Sequence, residues 1–348
     1  MFRKNTKAAN KHHLMAGLDI TTEARNDKYL GLPVYMGKSK AKTFIYLKER
    51  VWKRVQGWKE KLLSKAGKEI LIKAIAQAIP TFAMSYFDLT KTLCDDISKI
   101  VCRYWWSQQE KENKMHWLSW DLLSQRKKKG GLSFRDLHLF NLAMLARQGW
   151  RLLQNPESLC AQVLRAKYYH NCHLLDATEG PGISYSWRSI VRGLQALKEG
   201  LIWRVGDGSQ INIWSDPWVP NVVTRRPITP RGHTVLTKVS ELIDPITGDW
   251  DRGLVQDVFW EEDVKHILGI PVNCNMDDSL AWHYDTKGLF SVKSMYHSLE
   301  DNRERRATKH NGESSAPSTI AKQEVWGNLW KLECPPKIKQ FLWRLAYT

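Results

Sequence analysis

The chain is 348 residues long, 43% hydrophobic and 26% charged, with 53 Lys and Arg against 36 Asp and Glu and a formal net charge of +17. That apolar content excludes wholesale disorder, and the length suffices for two or three domains. No run of roughly 18 apolar residues occurs, and the start, with Arg3, Lys4, Lys7 and Lys11, has no apolar block. Membrane insertion and secretion are therefore poor explanations, and a basic intracellular protein, nuclear or cytoplasmic, with an acidic partner is expected.

The charge is unevenly placed. Residues 1 to 150 hold 29 Lys and Arg against 13 Asp and Glu, whereas the remaining 198 hold 24 against 23. Solubility requires no such segregation, so the N-terminal half is read as facing a polyanion. Phe44, Leu47, Val51, Val55, Trp58 and Leu62 recur at spacings of three and four, which predicts a helix with a core-facing stripe. At about 100° per residue, Arg50, Lys53, Arg54 and Lys61 share an arc beside that stripe, with Glu49 and Glu60 at its far edge. Ser64 is placed to cap a second helix, which carries Lys65, Lys68 and Lys73. Its expected buried face is Ile70, Leu71, Ala74, Ile75, Ala78 and Ile79, and Pro80 stops it. Leu93, Ile97, Ile100, Val101 and Tyr104 predict a third helix running into Trp105 and Trp106. Four cations, Arg126, Lys127, Lys128 and Lys129, then precede Gly130 and Gly131 in what reads as a basic loop. From Asn141 to Leu153 the pattern is again amphipathic, through Leu142, Leu145, Gly149 and Leu152, until Asn155-Pro156.

The middle of the chain changes character. A helix is expected from Ser186 to Lys198 through Trp187, Ile190, Val191, Leu194 and Leu197. Trp203, Val205, Ile211 and Ile213 alternate about Gly206-Asp207-Gly208-Ser209, which is a β-hairpin signal. Trp282, Tyr284, Lys287-Gly288 and Phe290 suggest a second short hairpin leading into a helix from Ser291. Residues 300–322 lack apolar periodicity and read as a disordered linker. A last apolar group, Trp326, Leu329, Trp330, Ile338, Phe341, Leu342 and Trp343, surrounds Pro335-Pro336.

Candidate chemistry is sparse. The cysteines, at 94, 102, 160, 172, 274 and 334, form no Cys-x-x-Cys pair and fit a reduced chain with scattered thiols. Cys160, His170, Cys172 and His173 are the densest metal-like group. Adjacent Cys172 and His173 are awkward co-ligands and no second pair completes a zinc knuckle, so no metal and no cofactor is expected. Asp95-Asp96 and Asp277-Asp278 invite comparison with two-metal enzymes, whose carboxylates converge on ions roughly 4 Å apart. Neighbours on a helix point apart, however, and both pairs read as solvated carboxylates. No phosphate-binding loop, nucleophile elbow or His-Glu-x-x-His helix is present, so no catalytic residue is assigned. The 17 tryptophans include Trp58 on the apolar stripe, and Trp105, Trp106, Trp117 and Trp120 near apolar helix positions. They read as core residues, and none is assigned to base stacking.

Several blocks carry a resemblance. Tyr29-Leu30-Gly31-Leu32-Pro33, the Trp58-Lys59 helix, Leu63-Ser64-Lys65-Ala66-Gly67-Lys68 and Gly130-Gly131-Leu132-Ser133-Phe134-Arg135-Asp136-Leu137 stand in this order. Trp203-Arg204-Val205-Gly206-Asp207-Gly208, Trp214-Ser215-Asp216-Pro217-Trp218, then Trp330, Pro335-Pro336-Lys337 and Phe341-Leu342-Trp343-Arg344 follow. Together they resemble plant LINE-type (non-LTR) retrotransposon reverse transcriptases, from thumb and connector into the start of the reverse-transcriptase zinc-binding domain. In that family the polymerase aspartates lie in a Tyr/Phe-x-Asp-Asp box upstream of the Tyr-Leu-Gly segment, and the 28 residues before Tyr29 contain no such box. The resemblance therefore implies a chain without the palm, the zinc ligands or the downstream ribonuclease H module. It is not an enzyme on its own, although the family activity is RNA-directed DNA polymerase. Cys334 matches no zinc-ligand position.

The expected fold is mainly α with short β-hairpins. The expected division is a remnant after the palm at 1–28, a basic helical thumb-like region at 29–160 and a mixed connector at 161–299. The linker at 300–322 and a truncated zinc-binding start at 323–348 complete it. A thumb grips the template–primer duplex through its phosphates, and the cations expected to do so are Arg50, Lys53, Arg54, Lys59, Lys61, Lys65, Lys68, Lys73, Arg126, Lys127, Lys128 and Lys129. Six such contacts would make log affinity fall with log salt at a slope of about −5. The implied partners are RNA, DNA or an RNA–DNA hybrid, with a separate reverse-transcriptase palm where synthesis is carried elsewhere, and no membrane. The alternative is a decayed retroelement fragment acting only as a structural or protein-interaction module.

Overall fold

The structure is a computed structural model that describes residues 8–19, 28–33, 36–37, 39–59, 63–107, 116–221, 224–311 and 318–347. Its helices in chain order are α1 (Ala8–Gly17), α2 (Lys40–Lys59), α3 (Lys65–Leu71), α4 (Thr81–Met84), α5 (Lys91–Trp106), α6 (Trp120–Ser124) and α7 (Leu137–Gln154). They continue with α8 (Leu159–Tyr168), α9 (Tyr185–Lys198), α10 (Arg252–Val258), α11 (Glu261–Ile267), α12 (Val292–Asn311), α13 (Ser318–Lys331) and α14 (Pro336–Leu345). Strands β1 (Lys28–Tyr29) and β2 (Leu32–Pro33) pair antiparallel, as do β3 (Leu201–Arg204) and β4 (Ser279–Trp282). The fold is thus mainly helical with two small antiparallel sheets. Among the described residues no helix is long and apolar enough to cross a membrane. The chain forms two compact units, one of residues 1–138 with 317–348, the other of residues 139–316.

The first unit is organised by α2 against α5. Phe44, Leu47, Val51, Val55 and Trp58 bury one side of α2, and Leu93, Ile97, Ile100, Val101 and Tyr104 bury the facing side of α5, at the spacings read from the sequence. Leu62 lies outside the described residues. Trp58 of α2 meets Tyr104 of α5 with ring centres 5.6 Å apart, and Phe44 meets Phe87, in the segment before α5, at 5.3 Å. The Tyr29-Leu30-Gly31-Leu32-Pro33 block is a two-residue hairpin, with Leu30 at φ +50° and Gly31 at φ +81°.

Ser64 caps α3 as expected, its hydroxyl accepting from the Gly67 N–H at 3.2 Å. The face that α3 buries differs from the expected one. Ile70 is exposed, while Lys68, Ile72, Ala76 and Gln77 are buried. Two causes combine: Ile72–Ala76 is a π-turn, which breaks the 3.6-residue period, and the polar side chains on this face reach inward to backbone carbonyls.

The second unit contains two apolar clusters. Trp187, Val191, Leu194 and Leu197 of α9 pack with Ala143 and Ala146 of α7, Trp282 of β4 and Met295 of α12. Gly193 sits where an added Cβ would meet the α7 backbone at Leu145 and Ala146, so the two helices touch through their backbones. Ile211, Ile213, Trp218, Val239 and Val255 belong to the other cluster.

The hairpin expected about Gly206-Asp207-Gly208-Ser209 does not form. Residues 201–204 pair instead with 279–282, Leu201 opposite Trp282, and the Gly-Asp-Gly turn is held by Asp278. The Asp278 carboxylate is not solvated, as expected for a turn residue, but buried. It accepts N–H groups from Gly206 at 2.7 Å, Gly208 at 3.0 Å and Gln210 at 2.9 Å. Gly206 has no room for a side chain against the Met276 and Asp277 backbone.

α12 continues to Asn311, into the segment whose composition predicts a linker. Glu199 at the end of α9 accepts from Asn302 at 3.2 Å and Arg306 at 3.1 Å, which ties that stretch to the unit. Residues 312–317 lie outside the described ones. Because Asp278 satisfies two buried N–H groups and one part-buried one, Asp278→Ala should lower the unfolding free energy of the chain by roughly 3 kcal/mol. Urea melts of the two proteins measure this, and a loss under about 0.5 kcal/mol, the size of an ordinary surface change, would contradict the assigned role.

Candidate nucleic-acid interface

α2 carries Lys40, Lys42, Lys48, Arg50, Lys53, Arg54 and Lys59 against the single acid Glu49. Its apolar stripe fixes the helix in the core, so the arc beside the stripe is presented outward. Arg50, Lys53 and Arg54 are exposed at positions i, i+3 and i+4, which are neighbours roughly 5–6 Å apart at Cβ. None of the three makes an ion pair among the described residues. Lys48 crosses to α5 and pairs with Asp96 at 2.8 Å, and that hydrogen bond holds the Asp96 carboxyl below its usual pKa. The Lys59 side chain and Lys61 lie outside the described residues.

The lysines of α3 are placed differently. α5 ends at Trp106, and the last carbonyls of a helix have no intrahelical donor. Lys65 donates to the Trp105 carbonyl, and Lys68 to the carbonyls of Tyr104 at 3.2 Å and of Ser107. Both charges also stand at the negative end of the α5 dipole. Lys68 is 7% exposed, and burial lowers its pKa. Lys73 donates to Leu132 O and to Glu69 Oε1, both at 2.6 Å. Burial lowers its pKa as well, with Glu69 partly offsetting that.

The run Arg126 to Lys129 is expected to be a basic loop, and within it Lys127–Lys129 form a 3₁₀ turn with Gly130 following at φ +90°. Lys127 lies 3.3 Å from Glu69 Oε1 and 4.2 Å from the centre of the Trp330 ring. The Gly130 carbonyl accepts from Trp343 Nε1 at 2.7 Å and from the Tyr347 hydroxyl at 2.9 Å. Gln340 reaches Glu69. The turn is therefore a platform on which α13 and α14 rest. Lys128 is exposed, whereas Arg126 and Lys129 are half-buried. Of the sequence-predicted cations, Arg50, Lys53, Arg54 and Lys128 face outward without an ion pair among the described residues.

A feature not assigned from the sequence is an aromatic cleft of about 280 Å³ lined by Trp106, Trp117, Phe341, Trp343, Arg344 and Tyr347, among others. Trp58, Trp105 and Trp106 are core residues as expected, but Trp117 is 67% exposed. The signal available in the sequence was its position between the polar run 107–116 and the cap Ser119, outside any helix. Cys160, His170, Cys172 and His173 are all exposed, and His173 Nδ1 accepts the Leu175 N–H at 3.3 Å. Among the described residues no three metal-ligating side chains gather into a site.

No protein-family model matches the chain. Over 143 residues, 41% of this chain and 93% of the relative, it is 38% identical to "Uncharacterized mitochondrial protein AtMg00310" of Arabidopsis thaliana. The chain belongs to the family of that protein. A second relative in this plant, "Putative ribonuclease H protein At1g65750", is 29% identical over 326 residues, 90% of this chain. The chain spans about half the length of this longer relative, 49%. The family membership thus rests on less than half of the chain, while the longer and weaker likeness runs through both units.

Removing the Lys68 ammonium would leave the Tyr104 and Ser107 carbonyls without their donor. Lys68→Met should therefore cost about 1–3 kcal/mol in a urea melt. Nucleic-acid affinity of the folded variant, read by fluorescence anisotropy, should stay unchanged. A loss of affinity at unchanged stability would instead make Lys68 a phosphate ligand.

Proposed function

We propose that the chain is the thumb and connector portion of a plant non-LTR retroelement reverse transcriptase and that it holds the sugar–phosphate backbone of RNA, DNA or an RNA–DNA hybrid. The carrying observation is the exposed face Arg50, Lys53 and Arg54 on a helix whose other side is locked into the core. A rigid helix presenting cations at fixed spacing positions a backbone and reads no bases. Excess positive charge in the first 150 residues supports the same reading. So does the order of motifs, from the Tyr29-Leu30-Gly31 hairpin through the Gly206-Asp207-Gly208 turn to Pro335-Pro336. The likeness to a relative whose name carries ribonuclease H fits a retroelement origin.

No polymerase carboxylate pair is assigned within the chain. Asp96 is tied to Lys48, and Asp278 is used by the backbone of the Gly-Asp-Gly turn. Synthesis then belongs to a separate palm, which this chain assists by gripping the duplex. Residues 323–348 correspond in this reading to the opening of the reverse-transcriptase zinc-binding domain, packed against the Lys127–Lys129 turn.

With Arg50, Lys53, Arg54 and Lys128 as the phosphate contacts, log affinity for a hybrid duplex should fall with log salt at a slope of about −3 to −4. Reversing Arg50, Lys53 and Arg54 together to Glu should weaken binding at least tenfold and flatten the slope, with melting unchanged. Anisotropy titrations across a salt series measure both. A slope near zero, or full affinity in the triple variant, rejects the reading.

A further inference from the structure

The aromatic cleft in the first unit is not part of the α2 face and is not used by the grip proposed above. Its volume of about 280 Å³ lies just below the range of small-molecule sites, roughly 300–1,000 Å³, which suits one planar ring system. Trp106 and Trp343 form buried walls, while Trp117 and Phe341 are 67% and 64% exposed. Large aromatic rings left in water at the mouth of a cleft are available for stacking. Among the described residues the only charged side chain lining the cleft is Arg344, which is exposed and makes no ion pair with another of them. α14, which supplies Phe341, Trp343 and Arg344, carries Lys337, Lys339 and Arg344 and no acid.

These features specify an occupant. It has a flat apolar face to lie against Trp117 or Phe341, and negative charge beside that face to meet Arg344 and Lys337. An unpaired nucleobase on its sugar–phosphate chain has both, and a base inside a duplex has its faces already stacked. An acidic peptide would bring the charge without a ring of this kind. We infer that the cleft between the segment at Trp117 and α14 is a stacking site for an unpaired base of single-stranded nucleic acid, with Arg344 on the adjoining phosphate. The inference rests on the nucleic-acid reading above but adds a second site with a different preference. The α2 face is indifferent to bases, whereas this cleft requires one.

The test uses the full chain and two labelled single strands of about ten nucleotides, within the site sizes seen for single-strand binders. One is oligothymidine and the other an abasic strand with the same phosphates. Stacking of one base predicts that oligothymidine binds about 5- to 160-fold tighter at the same low salt. Trp117→Ala and Phe341→Ala, both at exposed positions, should remove that preference and leave abasic binding unchanged, with circular dichroism and melting as checks on folding. Equal affinity for the two strands overturns the inference while the backbone grip stands. A base preference that survives in both variants also overturns it, because the base is then held elsewhere. Failure of both strands and of the hybrid duplex to bind sinks the cleft and the grip together. A dimer of the chain that Trp117→Ala dissolves, with no base preference, assigns the cleft to a second copy and likewise counts against a base.

Discussion

The C-terminal end of α5 sets the terms for the first unit. Its last carbonyls cannot be satisfied within the helix, and because Tyr104, Trp105 and Trp106 are buried there, water is not available to all of them. The donors come from α3: Lys65 takes Trp105 O, and Lys68 takes Tyr104 O and Ser107 O. A few residues on, Lys73 and Gln77 do the same for Leu132 and Arg135. One polar side of this segment is thereby drawn inward beside Ala66, Ile72 and Ala76, and Ile70 is turned out. A cationic residue that satisfies buried carbonyls is a structural member, and its engaged donors are not offered to a phosphate.

That constraint explains which parts of the sequence could be read. α2 and α5 were legible because Phe44, Val51 and Val55, and Leu93, Ile97 and Ile100, obey the helical period and are buried on one side of each helix. Local caps were legible too, since Ser64 acts on a backbone N–H three residues away. The face of α3 was not, because its burial is decided by carbonyls that lie 36 to 59 residues later in the chain. Periodicity carries no record of such a partner, and the π-turn at Ile72–Ala76 erases the period itself. The exposed cations Arg50, Lys53 and Arg54 could be read for the same reason as the α2 core: they share an arc beside its stripe on the wheel.

The second unit repeats the lesson with an anion. Alternation of Trp203, Val205, Ile211 and Ile213 describes burial correctly for Val205, Ile211 and Ile213, yet says nothing about strand partners. The local hairpin would have left β4 without its mate. Asp278, one residue before β4, gathers the N–H groups of Gly206, Gly208 and Gln210, so the same contact that shapes the turn also sets β4 beside β3. A buried carboxylate with three N–H donors resembles a structural anion site filled from within the chain. Its sequence neighbourhood, Met276-Asp277-Asp278-Ser279, looks like an exposed turn, and only the long-range contact distinguishes Asp278 from Asp277.

Net charge therefore overstates what a basic segment can offer to a polyanion. Lys65, Lys68 and Lys73 donate to carbonyls and Lys127 faces Glu69 and an indole ring, so these ammonium groups count toward the +17 total while their hydrogen bonds are engaged inside the unit. Counterion release on binding depends on the groups that still have solvent-facing hydrogen bonds to exchange. Apart from Lys128, the exposed sequence-predicted cations sit on α2, whose position is fixed by apolar packing with α5, and α5 in turn is closed by the inward lysines. The cations that build the unit and the cations left for a partner are thus two linked populations, and the first holds in register the helix that displays the second.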